Sequence, residues 1–154
     1  MSPVHLAVLA KRSDILYMLL EKHAQVDKVD GKQRSPLFLA VQQGLVDAAS
    51  LLSRYGASVG SVDQEGNTPL HVAASNNNAD IVNLLLDRNA RISARNVNGR
   101  TPLHLAVLNE AVETVVLLLA NFARADLRDN DGISCYEMAT PKMRKVIAKN
   151  NLNR

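Results

Sequence analysis

The stretch TPLHVA at residues 68–73 decides the fold, because the chain repeats it at a fixed interval. It stands as SPVHLA at 2–7, SPLFLA at 35–40 and TPLHLA at 101–106, and each copy starts 33 residues after the one before. A fifth copy starts in phase at Ser134 but reads SCYEMA. A fixed period of this size is typical of repeat proteins, in which each repeat is one small structural unit. The sequence therefore predicts a chain built from copies of one unit.

Each unit predicts two helices, a turn between them and a polar loop. Ser or Thr in front of Pro is a typical helix start, because the hydroxyl caps a free amide and proline lacks the N–H that the first turn leaves unbonded. In the third unit Ile81, Val82 and Leu85 have the spacing of a second helix. The loop at 89–100 is polar and contains Gly99, which can adopt a positive φ. One such helix pair can bury its apolar faces only against the next pair, so the units are predicted to stack into a solenoid.

The period and the pattern Thr-Pro-Leu-His-x-Ala resemble the ankyrin repeat over essentially all of the chain. The resemblance implies an all-α solenoid of stacked antiparallel helix pairs, with β-hairpin-like loops that project from the stack. It implies four repeats and a C-terminal capping repeat. Their ranges are 2–34, 35–67, 68–100, 101–133 and, for the capping repeat, 134–154.

The repeats differ in sequence at two places. In the first loop Gly31 stands two residues earlier than the loop glycine of the other repeats, such as Gly66. We expect this departure to alter the local geometry of the loop and to leave the fold unchanged. The leucine pair of the second helix is Leu85-Leu86 in the third repeat, but in the second repeat the pair Leu51-Leu52 comes one residue early.

The last unit is predicted to cap the solenoid, since a terminal unit needs a polar outer face. Ser134 and Glu137 suit a capping box, and Pro141 ends one helix and starts the next. The final helix, predicted from Pro141 to about Asn150, has an apolar stripe that includes Met143 and can cover the fourth repeat. Most of the chain's net charge of +3 belongs to this unit, in Lys142, Arg144, Lys145, Lys149 and Arg154.

The first unit lacks such a cap. Val4, Leu6 and Leu9 are expected to face a neighbouring unit that this sequence does not contain. This predicts that the chain is a segment of a longer array and that Met1 is an initiating or added residue.

Composition excludes several classes of protein. Hydrophobic residues make up 47% of the 154 and aromatic residues only 3%, which disfavours both disorder and a β-sandwich. A single cysteine rules out an internal disulfide framework and agrees with a reducing compartment. No apolar run approaches the roughly 20 residues of a membrane helix, and no secretory leader is recognisable. We therefore expect an intracellular, cytoplasmic protein, with the nucleus as the alternative.

The residues that suit catalysis or metal binding are better explained as structural. His5, His71 and His104 share one repeat offset, and the resemblance implies that this histidine is a hydrogen-bonding residue that ties adjacent units together. Cys135 stands where the other units have proline and is predicted to be a small core residue.

Sequence motifs for enzymatic chemistry are also missing. The chain has no phosphate loop, kinase motif or nucleophile elbow. Asp63, Asp129 and Asp131 resemble a calcium loop only faintly, because the terminal Glu is absent, and they are predicted to be polar turn residues at the loop tips. We predict that the protein is not an enzyme and holds no cofactor or metal.

The exposed positions that vary between repeats are available for a partner. In ankyrin repeats these are the loop tips and the inner face of each first helix, which line a concave groove. The resemblance implies that the groove binds a partner protein or peptide, and we expect that Arg100 and Leu108 can be changed to alanine with little loss of stability. The predicted binding residues are Lys32, Arg34, Gln42, Gln43, Gln64, Glu65, Asn67, Ser75, Asn76, Val97, Asn98, Arg100, Leu108, Asn109, Asn130, Asp131 and Ile133.

Three functional classes remain open from the sequence. The favoured one is a monomeric, non-catalytic protein–protein interaction module within a larger scaffold, adaptor or regulatory protein. The second is a self-contained inhibitor that masks a partner's functional surface, and the uncovered first unit argues against it. The third is a weak binder of acidic lipid or nucleic acid through the basic C-terminal helix, which the lack of aromatic stacking residues and the small net charge disfavour. No small-molecule substrate is expected.

Overall fold

The chain folds into consecutive helix pairs, and the first helix of each full pair begins at the proline of the repeated motif. The computed structural model describes residues 1–151. None of the helices in that part of the chain is long and apolar enough to cross a membrane. The helices are α1 (Pro3–Leu9), α2 (Ser13–Glu21), α3 (Pro36–Gln42), α4 (Val46–Arg54), α5 (Pro69–Ser75), α6 (Ala79–Asp87), α7 (Pro102–Leu108), α8 (Val112–Ala120), α9 (Cys135–Met138) and α10 (Pro141–Asn151).

The predicted all-α fold is confirmed. Almost no strand accompanies the helices within 1–151, where a single antiparallel bridge joins Arg128 to Ser134. The predicted helix caps are also present: Ser2, Ser35 and Thr68, for example, have extended backbones, and each hydroxyl accepts a hydrogen bond from the amide three residues later. These caps satisfy amides that the first turn leaves free, which fixes where each first helix begins.

The pairs stack in one direction. First helices pack on first helices, in the order α1, α3, α5, α7 and α9, while each second helix packs on the second helix of the next pair. Leu85 of α6 and Leu118 of α8 are completely buried between layers. The repeated alanines Ala40, Ala73 and Ala106 are buried too, and their small side chains let neighbouring helices approach closely.

The second helix of the second repeat keeps the register of the other repeats, although its leucine pair comes one residue early in the sequence. Leu52 is fully buried and lies at the offset of Leu85. The next position, which is Leu86 in the third repeat, is Ser53 here. Ser53 is buried, and its hydroxyl makes no hydrogen bond within residues 1–151. A leucine has therefore been exchanged for a serine without a shift of the helix.

The first loop also keeps the geometry of the others, although its glycine is displaced. Gln33 has a φ of 63°, close to the 73° of Gly66 at the same offset. The Gln33 amide donates to the Asp30 carbonyl at 3.0 Å, as the Gly66 amide does to the Asp63 carbonyl. A non-glycine residue thus occupies a left-handed conformation that the turn requires.

The C-terminal helices cover the fourth repeat as predicted. Ser134 and Glu137 form the capping box of α9, with the Ser134 amide 2.8 Å from Glu137 Oε2. Met143 and Ile147 of α10 are buried, and α10 packs against α8. The lysines of α10 are exposed on its opposite face. Of the predicted basic residues of this unit, Arg154 lies outside the described residues.

At the other end, the expectation for the first helix holds only in part. Leu6 and Leu9 are 57% and 40% exposed. Val4, however, is buried, so the prediction that it lacks a neighbour is wrong. The buried face of α1 packs against α2 and α3, and Val4 belongs to that face.

Candidate functional site

Each loop tip is held by one carboxylate or amide side chain near its start. Asp30 Oδ1 accepts hydrogen bonds from the backbone amides of Lys32 and Arg34, both at 2.9 Å. The Asp30 amide closes the turn by donating to the Arg34 carbonyl at 3.0 Å. The tip residues are therefore presented on a fixed turn. The same pair of side-chain bonds is made in the later loops by Asp63, Asn96 and Asp129.

The prediction that Asp63 and Asp129 are turn residues is confirmed by these bonds. The sequence-based prediction omits Asp30 and Asn96, although they share the same offset. The signal that identifies them is the recurrence of Asp or Asn three residues before each loop's left-handed residue.

Neighbouring tips are joined by hydrogen bonds that run along the stack. The Val97 amide donates to the Glu65 carbonyl at 3.0 Å, and the Asn130 amide donates to the Asn98 carbonyl at 3.0 Å. The Asn130 side chain also donates to the Val97 carbonyl at 2.9 Å. The second, third and fourth tips therefore form one connected row.

Buried histidines hold the last residue of two tips. His5 Nδ1 accepts a hydrogen bond from the Ser2 amide at 3.1 Å, so the ring proton is on Nε2, which donates to the Arg34 carbonyl at 2.9 Å. His71 makes the corresponding bond to the Arg100 carbonyl at 2.9 Å. Each bond joins the start of a first helix to the end of the loop 29 residues later. The structural role predicted for these two histidines is confirmed.

The second and fourth repeats lack this bond. Phe38 replaces the histidine in the second repeat, and the capping hydroxyl of Ser35 lies 3.0 Å from Ser61 Oγ. His104 keeps the bond from the Thr101 amide to Nδ1 at 3.1 Å, but its buried Nε2 has no hydrogen-bond partner within residues 1–151. The Ile133 backbone, at the position of the Arg100 carbonyl, still acts on the His104 ring, because it partly offsets the lowering of the His104 pKa by burial.

The first two tips and α3 enclose a small groove with mixed charge. Arg34 pairs with Asp30 at 2.8 Å and donates to Gln42 Oε1 at 3.2 Å. Burial by itself would raise the pKa of Asp30, but the Arg34 guanidinium and the tip amides lower it to about 2. Gln64 Nε2 donates to the Gly31 carbonyl at 3.2 Å, which joins the two tips. The groove is lined by Lys32, Arg34, Phe38, Gln42, Asp63, Gln64 and Glu65.

The third and fourth tips and the end of α7 carry exposed aliphatic side chains, and an ion pair joins the same two loops. Val97 is 60% exposed, Leu108 44% and Ile133 40%. Arg100 Nε lies 3.3 Å from Asp129 Oδ2, and the Asp129 side chain is only 1% exposed. The Ile133 amide and the Arg100 guanidinium lower the pKa of Asp129. The expectation that Arg100 can be changed to alanine with little loss of stability stays a prediction, and the ion pair argues against it, because the change would leave a buried carboxylate without its ion-pair partner.

The remaining predicted binding residues are accessible to solvent. Within residues 1–151, hydrogen bonds connect few of them to the loop tips. Asn67 is half-buried and accepts a hydrogen bond from the Asn96 side chain at 2.9 Å. Asn109 donates to the Leu105 carbonyl of its own helix at 2.9 Å. Among residues 1–151 no hydrogen bond joins a tip to the side chains of Gln43, Ser75, Asn76 and Asn109. Their part in binding stays a prediction.

The described residues offer no arrangement suited to metal chemistry. Within 1–151 no three His, Cys, Asp or Glu residues come close enough together to hold a metal ion. Cys135 is completely buried, and burial raises the pKa of its thiol to about 12. The thiol is protonated at neutral pH, and since the thiolate is the reactive form, Cys135 acts as a core residue, as predicted.

Comparison with models of protein families identifies the family. A family model described as ankyrin repeats in three copies matches residues 37–131, which is more than half of the chain. A search of curated proteins found no match.

Proposed function

The chain belongs to the ankyrin-repeat family, and on that basis we propose that it binds a partner protein or peptide through its concave groove. Ankyrin repeats are generally protein–protein interaction modules, and the family is typically non-catalytic. The module would act as a monomer within an intracellular scaffold, adaptor or regulatory protein. Its binding surface would consist of the loop tips and the inner faces of the first helices.

The observation that carries this proposal is the exposure of Val97 and Ile133 on the row of tips and of Leu108 at the end of α7. Exposed aliphatic side chains gain free energy when a partner removes them from water. The hydrogen bonds between Val97, Glu65, Asn98 and Asn130 already order the tips, so little conformational entropy is lost on binding. The third and fourth tips are therefore the proposed apolar centre of the interface.

The groove at the first two tips supplies the polar part of the proposed interface. Lys32 and Glu65 are exposed there, while Arg34 is held by Asp30 and Gln42. A polar, solvent-accessible rim around an apolar centre is the usual anatomy of a protein interface. The partner would contact the far tips with apolar side chains and the first tips with polar ones.

The experiment compares the proteins captured by the wild type and by two variants. Leu108→Glu places a charge at the proposed apolar centre. Val62→Glu is the matched control, because Val62 is 46% exposed, close to the 44% of Leu108, but does not belong to the predicted groove residues. Proteins that bind the groove are expected to be captured by the wild type and by Val62→Glu, and lost with Leu108→Glu. Thermal melts check that both variants stay folded.

Two results would contradict the proposal. One is an identical set of captured proteins for all three chains. The other is equal loss with Leu108→Glu and Val62→Glu, which would show that any charged residue on the surface disturbs binding.

A further inference from the structure

One equivalent position in the loop that follows the second helix is an acidic residue in two repeats and a serine in a third. The residues at this offset are Asp27, Gly60, Ser93 and Asp126 in the four successive repeats. In every repeat this position is the second residue of the same short turn, six residues beyond the end of the second helix. Ser93 therefore occupies the backbone geometry that holds a carboxylate in the first and fourth repeats.

The two carboxylates show which groups an anion meets at this place. Asp126 accepts two hydrogen bonds from Arg124, two residues before it: Nε to Oδ1 at 3.1 Å and Nη2 to Oδ2 at 2.6 Å. Asp27 Oδ1 accepts a hydrogen bond at 2.9 Å from the amide of Ser58, in the next repeat. One contact comes from an arginine of the same loop and the other from a backbone amide of the following loop.

The third repeat has both of these groups at the corresponding positions of the sequence. Arg91 stands two residues before it, at the offset of Arg124, and the amide of Arg124 in the next loop stands at the offset of the Ser58 amide. Arg91 is exposed, and its side chain has no hydrogen bond or ion pair within residues 1–151. The third repeat therefore has an arginine and an amide that could bind an anion, but it has a serine where the first and fourth repeats have a carboxylate.

The space around Ser93 can accommodate a larger group. Ser93 is exposed and lines a groove between the second and third loops, together with Arg91 and Arg95. Across this groove, Gly60 has no atom within 4 Å of the place where a Cβ would be. Arg95 donates to the Arg128 carbonyl at 2.7 Å and adds a second positive charge to the groove wall.

We propose that Ser93 is a phosphorylation site whose phosphate is bound by the Arg91 side chain and the backbone amide of Arg124. The Ser93 hydroxyl oxygen attacks the γ-phosphorus of a nucleoside triphosphate held by a protein kinase. The bond from that phosphorus to the β–γ bridging oxygen breaks, the nucleoside diphosphate leaves, and the hydroxyl proton passes through the kinase's basic residue to solvent. The kinase is of the class that selects serines among basic residues, because Arg88, Arg91 and Arg95 surround Ser93 in sequence.

The phosphate has a local structural consequence. It neutralises Arg91 and joins the third loop to the fourth, as Asp27 joins the first loop to the second. The charge of about −2 on the phosphate balances the two positive charges of the groove between the second and third loops, which are those of Arg91 and Arg95. Phosphorylation would thereby remove the positive charge from a surface separate from the predicted concave groove.

The first experiment tests whether the folded chain is a substrate. The full chain is incubated with ATP and a serine kinase that selects arginine before the serine, and the phosphorylated position is mapped by mass spectrometry. Ser93 is expected to be modified, and Ser93→Ala to remove the signal. Ser58 is the internal control, because it is an exposed loop serine, and residues 55–61 around it contain no arginine, whereas Arg91 and Arg95 flank Ser93 closely. Modification of a peptide of residues 86–98 but not of the folded chain, or equal modification of Ser58, would overturn the proposal.

The second experiment tests the phosphate's partners. Phosphoserine is incorporated at position 93 during translation, and ³¹P NMR measures the second pKa of the phosphate, which is ordinarily about 6. Binding by Arg91 and the Arg124 amide favours the dianion, so the pKa is expected to lie below that value and to return toward it in Arg91→Gln. Arg54→Gln, which removes an exposed arginine outside the groove, is expected to leave the pKa lowered. An unshifted pKa in the wild-type background, or equal effects of the two substitutions, would show that Arg91 does not bind the phosphate.

Discussion

At the scale of single residues, the loop tips show that backbone conformation is retained even where the favourable residue is lost. Gly66 and Gln33 occupy the same left-handed conformation, with φ values of 73° and 63°. Glycine adopts this conformation freely, whereas a residue with a Cβ is disfavoured there by about 1–2 kcal/mol. The tip tolerates Gln33 because its hydrogen bonds to Asp30 fix the turn.

This comparison predicts opposite effects for two exchanges. Gln33→Gly is expected to raise the free energy of unfolding by up to about 1 kcal/mol, because it removes the left-handed strain at some cost in entropy. Gly66→Gln is expected to lower it by more, because a Cβ at Gly66 would also lie 3.1 Å from the Val97 amide nitrogen. Urea denaturation followed by circular dichroism measures both changes. A destabilised Gln33→Gly protein would show that the glutamine side chain, and not the backbone, sets the stability of this tip.

At the scale of the helix, stability comes from the leucines that separate the layers. Leu85 and Leu118 have the same offset and are both completely buried. The next position of the helix does not require an apolar side chain, since Ser53 is buried there with a hydroxyl that makes no hydrogen bond within residues 1–151. The helices are only seven to eleven residues long, apart from the single turn of α9, and too short to be stable in isolation. Packing between layers must therefore supply most of their stability.

The burial of these leucines predicts a large cost for truncation. Leu85→Ala and Leu118→Ala are each expected to lower the free energy of unfolding by about 2–5 kcal/mol, the range for buried leucines that leave a cavity. Leu108→Ala is the control, because Leu108 is 44% exposed, and its expected cost is below about 1 kcal/mol. Chemical denaturation of the three variants gives the comparison. If all three lost the same free energy, burial between layers would not be what makes these leucines important.

At the scale of the whole molecule, buried histidines couple folding to pH. Burial lowers the pKa of His71 and of His104 from the ordinary value of 6.5. Below about pH 6.5 the unfolded chain therefore binds protons at these positions more readily than the folded chain. The stability that depends on the neutral rings is fully present above that pH and is lost as the pH falls. Acidic groups change the stability only at lower pH. The pKa of Glu137, for example, is held at about 2, in part by the hydrogen bond from the Ser134 amide.

The melting temperature is accordingly expected to fall between pH 7.5 and pH 5, with each buried histidine contributing at most about 1.4 kcal/mol per pH unit. His71→Phe imitates the natural Phe38 and is expected to melt lower at pH 7.5 but to lose less over this interval. His23→Asn changes an exposed histidine in a left-handed conformation that asparagine tolerates, so its pH dependence should match the wild type. Calorimetry across the interval checks this, and identical slopes for all three chains would assign the pH dependence to other groups.

Much of this architecture could be predicted from the sequence, because its causes are local. The Ser or Thr before Pro fixes the start of each first helix within one turn. The spacing of Ile81, Val82 and Leu85 fixes which face of α6 is buried. The interval of 33 residues then requires that every unit repeat these features, and the capping box at Ser134 marks the last unit.

The candidate site was predictable only as a set of exposed positions. Arg100 was expected to be free for a partner, but it pairs with the buried Asp129 of the next loop. The shared histidine offset does not reveal that the Nε2 bonds of His5 and His71 to the loop carbonyls, both at 2.9 Å, have better geometry than the contact of His104. These contacts join residues about 29 positions apart, and their distances depend on how far one layer is shifted against the next.

The sequence by itself thus determined the repeated unit, its helices and the direction of stacking, because capping and hydrophobic spacing act over a few residues. Only the tertiary structure decided how the loops meet. It joined the tips of Val97 and Asn130 into one row, and it left Arg91 beside Ser93 without a charged partner within residues 1–151. The physical reason is that hydrogen bonds and ion pairs between loops need ångström-scale placement, which is set by the packing of whole layers and not by any one stretch of chain.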